Sequence, residues 1–369
     1  MAEIRRRGSV SAAARAINIT QPAITQAVTK LEGLLDARLF DRRSDGMAST
    51  TAADVLAPRI DAALNHIASR RVTMAQMRAL VAVADGGGYL SAGAATGLAQ
   101  PSLHRAVQDL SVALQKTLVE RRGRGVALTD AGRRVARGFR LAKAELEAGL
   151  SELTALKGRE TGRIAIGAMP LSRARLLPRA VAAFHRDFPD AQIGIAEGSY
   201  AELIEPLRDG VLDILIGALR DSPTGDDLVQ RPLFEDRPII LGRAGHPLAG
   251  AAPSITDLTA YLWTVAARGA PLRTQWERMF TDAGLDIPRV PIECGSVITI
   301  RGILLDSDFL TLLSPDQVAV ELAAGWLAKI CDAPEGLVRV IGVTTRVGWS
   351  PTRLQRAFLV ALGEVAGEV

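Results

Sequence analysis

The sequence predicts a mixed architecture: two small helical units of one plan and a long helix, followed by a two-lobed α/β domain. Three observations lead there. One stretch recurs: Asn18 to Glu32 reads NITQPAITQAVTKLE, and Gly97 to Ser111 reads GLAQPSLHRAVQDLS, 79 residues further on. Charge is uneven, with 23 Lys and Arg against 14 Asp and Glu in residues 1–157 and an acidic excess in the remainder. From about residue 161 onward, short apolar runs alternate with segments of helical spacing, the pattern of a parallel sheet with helical crossovers.

Composition narrows the classes. The chain is 48% hydrophobic but only 4% aromatic, so its core is expected to be built from Ala, Leu, Val and Ile. No run of about 18 apolar residues lacks charge, which excludes an ordinary membrane span. The opening MAEIRRRGSVS has no apolar h-region, so no export signal is expected. Two cysteines, Cys294 and Cys331, have no metal-ligand spacing and suit a reducing compartment. The expectation is a cytoplasmic protein with no metal and no cofactor. Its basic N-terminal part favours a polyanionic partner, most commonly nucleic acid.

The 79-residue offset holds well beyond the quoted stretch. Gly8, Ala13, Ala16, Gln21-Pro22, Ala27-Val28, Leu31, Leu35, Leu39, Arg42-Arg43 and Thr50 all recur as the same residue in the second copy. With only two copies this is one compact unit repeated, not a solenoid. In each copy small residues (Ala12, Ala13, Ala14, Ala16) predict a short helix that approaches a neighbour closely. A polar turn at Asn18 follows. Thr20 is placed as the N-cap and Pro22 in the first helical turn, where a missing N–H is no loss. Ile24, Ala27, Val28, Leu31 and Leu35 then form the expected buried stripe. The opposite face presents Gln21, Ala23, Thr25, Gln26, Thr29 and Lys30, short groups suited to base edges and phosphates. Helix, tight turn and second helix with such a face make a helix-turn-helix. The second copy offers Gln100, Pro101, Ser102, His104, Arg105 and Gln108 at the same place. His104 reads equally as a surface side chain or as a base or phosphate contact.

LFDRRSDGMAST and LVERRGRGVALT come next, each an apolar residue, paired arginines, a Gly-containing turn and a Thr. They predict a two-stranded wing whose Arg42, Arg43, Arg121, Arg122 and Arg124 lie near the phosphate backbone, adding affinity rather than sequence information. One such pair alone suits a solvated turn; recurrence at the same place favours the phosphate role.

The run Gly-Ser-x-x-Ala-Ala, Gln-Pro-Ala-x-Thr, Leu-Glu, Leu-Phe-x-Arg-Arg and Thr-x-Ala resembles the winged helix-turn-helix of bacterial LysR-type transcriptional regulators. Members of that family normally carry one such unit, so two is a departure. Only seven residues precede Gly8, so the family's first helix is expected to be mostly missing from the first unit. The second has it, MAQMRALVAVAD, but departs from the family pattern at Thr96, His104 and Ser111.

After the second unit, Thr129 to Leu156 places Val135, Phe139, Ala142, Leu146, Leu153 and Leu156 on alternating four-three spacing, with Gly149 in the remaining slot. Such a seam fits a two-helix dimer contact, or an amphipathic helix packed on its own domain. The resemblance implies the first, since the family pairs DNA-binding domains through this helix and reads an inverted repeat in double-stranded DNA as a homodimer or homotetramer.

KGRETG reads as a hinge. RIAIGAM, QIGIAEG and DILIGAL are expected as strands, with helices around Arg173–Asp187 and Tyr200–Asp209. YLWTVAA, VPIECG, FLTLLS and LVRVIGVTT continue the alternation, with helices around Pro271–Ala283, Ser296–Leu305, from Pro315 and after Pro351. The expected domains are a first winged unit at 1–70, a second at 71–128, a linker helix at 129–157 and an effector domain at 161–364. Its lobe 1 takes about 161–238 and 338–364, and lobe 2 about 239–337. This part resembles the family's effector-binding domain, which shares its fold with periplasmic solute-binding proteins.

Ligands of open α/β sheets bind beyond the carboxyl ends of strands. That places Met169, Pro170, Leu171 and Ser172, and Gly217 with Ala218, at the cleft; Arg268, Arg273, Gly295 and Ser296 face them. Ser172 and Ser296 also read as plain N-caps. The resemblance makes these positions the lining of an effector cleft, and the arginines suggest an anionic or sugar-like small molecule. The sequence has no Gly-x-Ser-x-Gly, no His-Glu-x-x-His and no phosphate-cradling glycine loop, so no catalytic residue is expected. The reading is a ligand-responsive, sequence-specific DNA-binding regulator. The alternative is a cytoplasmic solute-binding-fold protein with degenerate DNA-binding units.

Overall fold

The computed structural model describes residues 1–43, 46–67, 69, 71–123, 125–220 and 225–367. The chain opens with helices α1 (Ala2–Arg7), α2 (Val10–Ala16) and α3 (Gln21–Leu35). Strands β1 (Phe40–Arg43) and β2 (Gly46–Ser49) pair antiparallel, and helix α4 (Thr51–Ile67) follows. The same order then recurs as α5 (Met74–Gly86), α6 (Tyr89–Thr96), α7 (Gln100–Leu114), β3 (Val119–Arg122), β4 (Gly125–Leu128) and α8 (Asp130–Leu156).

The likeness reaches single bonds. Asn18 and Gly97 close the second helix of each set with φ of 55° and 70°. Asp36 and Gln115 close the third at 47° and 54°, a left-handed conformation that ends a helix sharply. The Thr50 hydroxyl donates to the Arg38 carbonyl at 2.7 Å, and the Thr129 hydroxyl donates to the Thr117 carbonyl at 2.7 Å.

The recognition-type helices differ in how well they are covered. On α7, Leu103, Val107 and Leu110 are all fully buried. On α3 only Ile24 is buried, Val28, Leu31 and Leu35 are half-buried, and Ala27, expected in the stripe, is exposed. The reason lies in the first helix. The thirteen-residue α5 packs directly on α7, whereas the six-residue α1 packs on α2 and α4 and leaves α3 less covered. That first helix is therefore short, though it still buries Ile4. Thr20 sits at the N-cap of α3 without a side-chain capping bond, and Pro22 is in the first turn as expected.

Helices α4 and α8 lie antiparallel along each other. A Cβ at Gly138 would meet the His66 carbonyl, and one at Gly149 would meet Leu56 and Arg59. Phe139, Ala142, Gly149 and Leu153 of the expected dimer seam are thus buried within one chain. Within the chain α4 covers this part of the seam, the second of the two expected arrangements, while Leu146 and Leu156 of the same seam stay exposed. Gly149, the gap in that seam, is where Leu56 and Arg59 come close.

The α/β part begins with β5 (Arg163–Ala168), a 3-10 turn (Pro170–Arg173), α9 (Leu176–Asp187), β6 (Gln192–Glu197), α10 (Tyr200–Arg208), β7 (Ile214–Ala218) and β8 (Leu228–Asp236). It continues with β9 (Ile239–Arg243), α11 (Ile255–Leu258), β10 (Thr264–Val265), α12 (Pro271–Thr281), β11 (Ile292–Glu293), α13 (Val297–Leu305) and β12 (Thr311–Leu313). A second 3-10 turn (Pro315–Val318), α14 (Ala319–Ala323), β13 (Leu327–Asp332), β14 (Arg339–Arg346) and α15 (Arg353–Gly367) complete it.

Two sheets result. The first has the order β6-β5-β7-β14-β8, with β5 parallel to β6 and β7 and β14 antiparallel to β7 and β8. Its strands Ile164, Ile166, Ile214 and Ile216 pack with Phe184 of α9 and Phe358 of α15 in one core. The second is an antiparallel β12-β9-β13 sheet beside the short parallel pair β10–β11, around Trp263, Trp276 and Phe280. The chain crosses between the sheets twice, from β8 to β9 and from β13 to β14. YLWTVAA and VPIECG contribute only two strand residues each, and β8 and β13 were not anticipated. Among the described residues no helix is long and apolar enough to cross a membrane.

Candidate functional site

Two surfaces carry the predicted chemistry. On α3, Gln21, Pro22, Ala23, Gln26, Thr29 and Lys30 are exposed, and Thr25 is half-buried. The turn before α3 is held in part by Ser11, whose hydroxyl donates to Gln21 Oε1 at 2.9 Å, while the Thr25 hydroxyl donates to the Gln21 carbonyl at 3.1 Å. A concavity of about 420 Å3 brings Gln21, Thr25 and Thr29 beside Arg42 and Arg43 of β1. Helix and wing thus share one face, as duplex binding requires.

In the second set Gln100, Pro101, Ser102, His104, Arg105 and Gln108 are exposed on α7, and Arg121 and Arg122 on β3. The His104 ring lies 5.3 Å from the Tyr89 ring, which supports it from α6. Arg124 falls outside the described residues. Among the described residues Arg42, Arg43, Arg105, Arg121 and Arg122 make no ion pair, so their charge is available to phosphates.

The second surface is a cleft of about 450 Å3 between the two sheets. Met169, Pro170, Leu171 and Ala218 line it from one side, and Arg268 and Gly295 from the other, as predicted. Four predicted positions do not. Ser172 is fully buried, and its hydroxyl donates inward to the carbonyls of Met169 (2.9 Å) and Ile216 (3.2 Å). Arg273 is 4% exposed, bound to Glu277 at 2.7 Å and near Glu293, with its guanidinium over Trp276. The Ser296 hydroxyl caps α13, accepting from the Thr299 N–H. Gly217 sits beneath Met169, whose side chain fills the space a Cβ would take. Each was placed in the right loop; the direction of its side chain was not in the residue type.

Other lining residues had been missed, among them Tyr200, Arg220, Cys294, Thr311, Gln317 and Arg339. The Arg220 guanidinium lies 4.5 Å from the centre of the Tyr200 ring, and its buried Nε has no hydrogen-bond partner among the described residues. Thr311 is fully buried with its hydroxyl likewise unpartnered. Buried polar atoms are normally satisfied, and both residues line the cleft, so each is open to a polar group there; Thr264, Gln275 and Trp276 carry unpartnered buried atoms away from it. Tyr200 was legible, because it follows the end of β6 behind a Ser199–Glu202 capping box. Thr311 was not, since an apolar strand announces burial but not a cavity. Arg339 differs: it is paired with the buried Asp236.

The cleft and the helical part meet through α10. Tyr200 starts that helix in the cleft wall. At its other end Asp209 accepts from Arg137 Nε at 2.8 Å and Arg140 Nη1 at 2.6 Å, both on α8. Glu205 accepts from Arg137, and Arg140 also reaches Asp85 of α5. Arg59 of α4, 5% exposed, donates to Glu145 (3.0 Å), Glu152 (3.1 Å) and the Ser350 carbonyl (2.8 Å) before α15. Burial pulls its pKa down, but the bonds to Glu152 and Glu145 outweigh that and hold it above the ordinary arginine value.

Comparison with known proteins matches the helical and the α/β parts of the chain separately. The bacterial regulatory helix-turn-helix protein family of lysR type is matched by residues 1–54 and 74–133, and the LysR substrate binding domain by residues 157–367. The chain belongs to the LysR family of transcriptional regulators. It is 30% identical to the HTH-type transcriptional regulator GalR of Pseudomonas putida, over 98% of this chain and 94% of that one. That match runs through both helix-turn-helix stretches. It is also 30% identical to the SDS degradation transcriptional activation protein of a Pseudomonas species, over 74% of this chain and 90% of that one. A full-length OxyR variant from Pseudomonas aeruginosa shares the fold at a TM-score of 0.57 and 21% identity, covering 81% of this chain and 95% of that one. The regulator CbnR does so at 0.54 and 19%, covering 79% and 98%. As a LysR-type regulator the chain combines a DNA-binding helix-turn-helix region with a two-lobed effector-binding domain, and the solute-binding-protein alternative falls.

Proposed function

We propose that both helix-turn-helix stretches are working winged units, 1–70 and 71–128, followed by the linker helix 129–157 and the effector domain 161–364. Lobe 1 comprises about 161–238 and 338–364, and lobe 2 about 239–337. In the cytoplasm, α3 and α7 enter the major groove of double-stranded DNA. Gln21, Ala23, Thr25, Gln26, Thr29 and Lys30, with Gln100, Ser102, His104, Arg105 and Gln108, face bases and nearby phosphates. Pro22 and Pro101 start the two helices, and Arg42, Arg43, Arg121 and Arg122 neutralise the backbone. Association into dimers or tetramers uses faces other than the α8 seam.

A small carboxylate-bearing or sugar-like effector sits in the cleft against Arg220, Arg268 and Thr311. The chain binds this molecule as a signal rather than as a substrate. The observation that carries the reading is α10, with one end in the cleft wall and the other ion-paired to α8. Nine helical residues span about 13 Å and move as a rod. A ligand that favours one position of that rod shifts the arrangement of the DNA-binding units by its differential affinity.

The test is a footprint of the full chain on the gene's own upstream DNA, with and without bound effector. One protected region, with affinity falling steeply as salt rises, is expected. Asp209→Ala is expected to keep that protection and lose the effector-dependent change. Equal affinity for every duplex would overturn the assignment.

A further inference from the structure

We propose that one chain is a complete two-unit DNA reader: α4 and α8 pair its units about a local two-fold axis, so α3 and α7 of the same chain occupy the two half-sites of one operator, and those half-sites differ in sequence. This rests on the reading that both units touch DNA.

The axis follows from two contacts. Arg59 of α4 meets Glu145 of α8, and Gly138 of α8 lies against the carbonyl of His66 of α4. The 79-residue offset that relates the units carries Arg59 onto Gly138 and His66 onto Glu145. The two contacts are therefore one contact, made once in each direction, as an isologous pairing requires. A head-to-tail arrangement of the units would bring different positions together at the two ends. Between these contacts lie Ala63 and Ala142, each 2% exposed, and they too are equivalent under the offset. Core residues are exchanged in the same sense. Leu153, near the end of α8, joins the core of the first unit, and Ile67, ending α4, packs on the core of the second.

The pairing that two separate chains would make through α8 is thus made inside one. Helix α4 cannot leave this face without exposing Leu56, Ala57 and Ala63, all 5% exposed or less, while Leu146 and Leu156 of α8 stay open beside it.

The two readers do not present the same groups. Thr25 stands where the other unit has His104, Gln26 where it has Arg105, Thr29 where it has Gln108, and Lys30 where it has Asp109. A Gln favours adenine and an Arg favours guanine at a base edge, so a symmetric operator would suit one unit and misfit the other.

The experiment uses the full chain with Cys294 and Cys331 changed to serine and an iron–EDTA cleavage reagent tethered to one new cysteine. The tag is placed beside α3 by Ile19→Cys or beside α7 by Leu98→Cys, with Asp41→Cys on β1 and Glu120→Cys on β3 as a second pair, giving α3 tags and α7 tags; all four positions are exposed and none is placed against a base. The DNA is the upstream segment that the untagged chain protects. The expected result is that α3 tags cut one half-site only and α7 tags cut the other only. Either tag cutting both half-sites means two chains share the operator and overturns the proposal. Cleavage from α7 tags alone, with α3 tags silent on the same bound DNA, overturns it by removing the second reader. Loss of DNA binding by the untagged chain instead sinks the reading on which the proposal rests.

Discussion

The Cβ that Gly138 lacks would lie 2.6 Å from the carbonyl oxygen of His66. Gly138→Ala gains about 1 kcal/mol of helix propensity. It loses more, because the group in the way is backbone in a packed helix and overpacking costs about 1–3 kcal/mol. A net destabilisation is expected, read as a lower urea midpoint. At Gly149 the neighbours are Leu56 Cδ2 and Arg59 Cβ, both at 3.2 Å, and the Arg59 Cβ is held by the α4 backbone and the buried guanidinium. Gly149→Ala is expected to destabilise by the same assay, though less than Gly138→Ala, where the approach is 2.6 Å and onto backbone.

Arg59 offers a sharper test of the junction. Its guanidinium is buried against Glu145 and Glu152, whose side chains are 16% and 19% exposed. Removing one member of a buried ion pair strands the others, at a cost of about 3–5 kcal/mol when burial is complete. With the glutamates partly wetted, Arg59→Met is expected to lose about 2–3 kcal/mol. Adding Glu145→Gln and Glu152→Gln is expected to recover part of it. No recovery would mean that Arg59 acts through packing alone.

His246 sets an acid limit on the second lobe. It is 3% exposed, with Nε2 3.2 Å from the Asp308 carbonyl and the ring against Tyr261. Burial holds its pKa below the ordinary histidine value, and Arg243 adds to that, against the opposing pull of Asp308. The unfolded chain therefore takes up this proton first as pH falls below about 6.5, and stability falls with it, by at most about 1.4 kcal/mol per pH unit. Tryptophan fluorescence, to which the buried Trp263 and Trp276 of this lobe contribute, reads the effect during urea unfolding at pH 7.5 and 5.5. In His246→Gln the difference between the two pH values is expected to shrink.

Thr311 separates ligand recognition from folding. Its hydroxyl is buried and unsatisfied, so Thr311→Val removes an uncompensated polar group at nearly constant shape. The substitution is expected to leave stability unchanged or raise it by up to about 1–2 kcal/mol. Calorimetric affinity for a cleft ligand, screened from aromatic carboxylates and sugar acids, is expected to fall about tenfold, near 1.4 kcal/mol. A destabilised variant with unchanged affinity would place the hydroxyl in the core instead.

These sites show what could and could not be read from the chain. The repeated unit was legible because its caps, turns and apolar stripe are local: Pro22 and Pro101, Asn18 and Gly97, Thr50 and Thr129 do the same work wherever the unit folds. The partner of α8 was not legible. Periodicity says that Phe139, Ala142 and Leu153 share a face, but any apolar surface of the right shape covers it, and here that surface is α4. The cleft lay between. Loops at strand ends gave Met169, Pro170, Leu171, Ala218, Arg268 and Gly295, whereas Ser172 and Arg273 turn inward to partners set by tertiary packing. Thr311 and Arg220 owe their place to the meeting of two lobes distant in sequence.

The antiparallel fit of α4 on α8 has a consequence in genetics. A reader assembled from two chains depends on the square of their concentration when chains are scarce, and a defective chain spoils every good one it joins. Where one chain holds both readers, as proposed, the two half-sites of one operator are filled without a second chain, and association through other faces is not needed to make the reader. At the level of DNA reading, an allele that ruins α3 or α7 then behaves as recessive beside an intact copy of the gene.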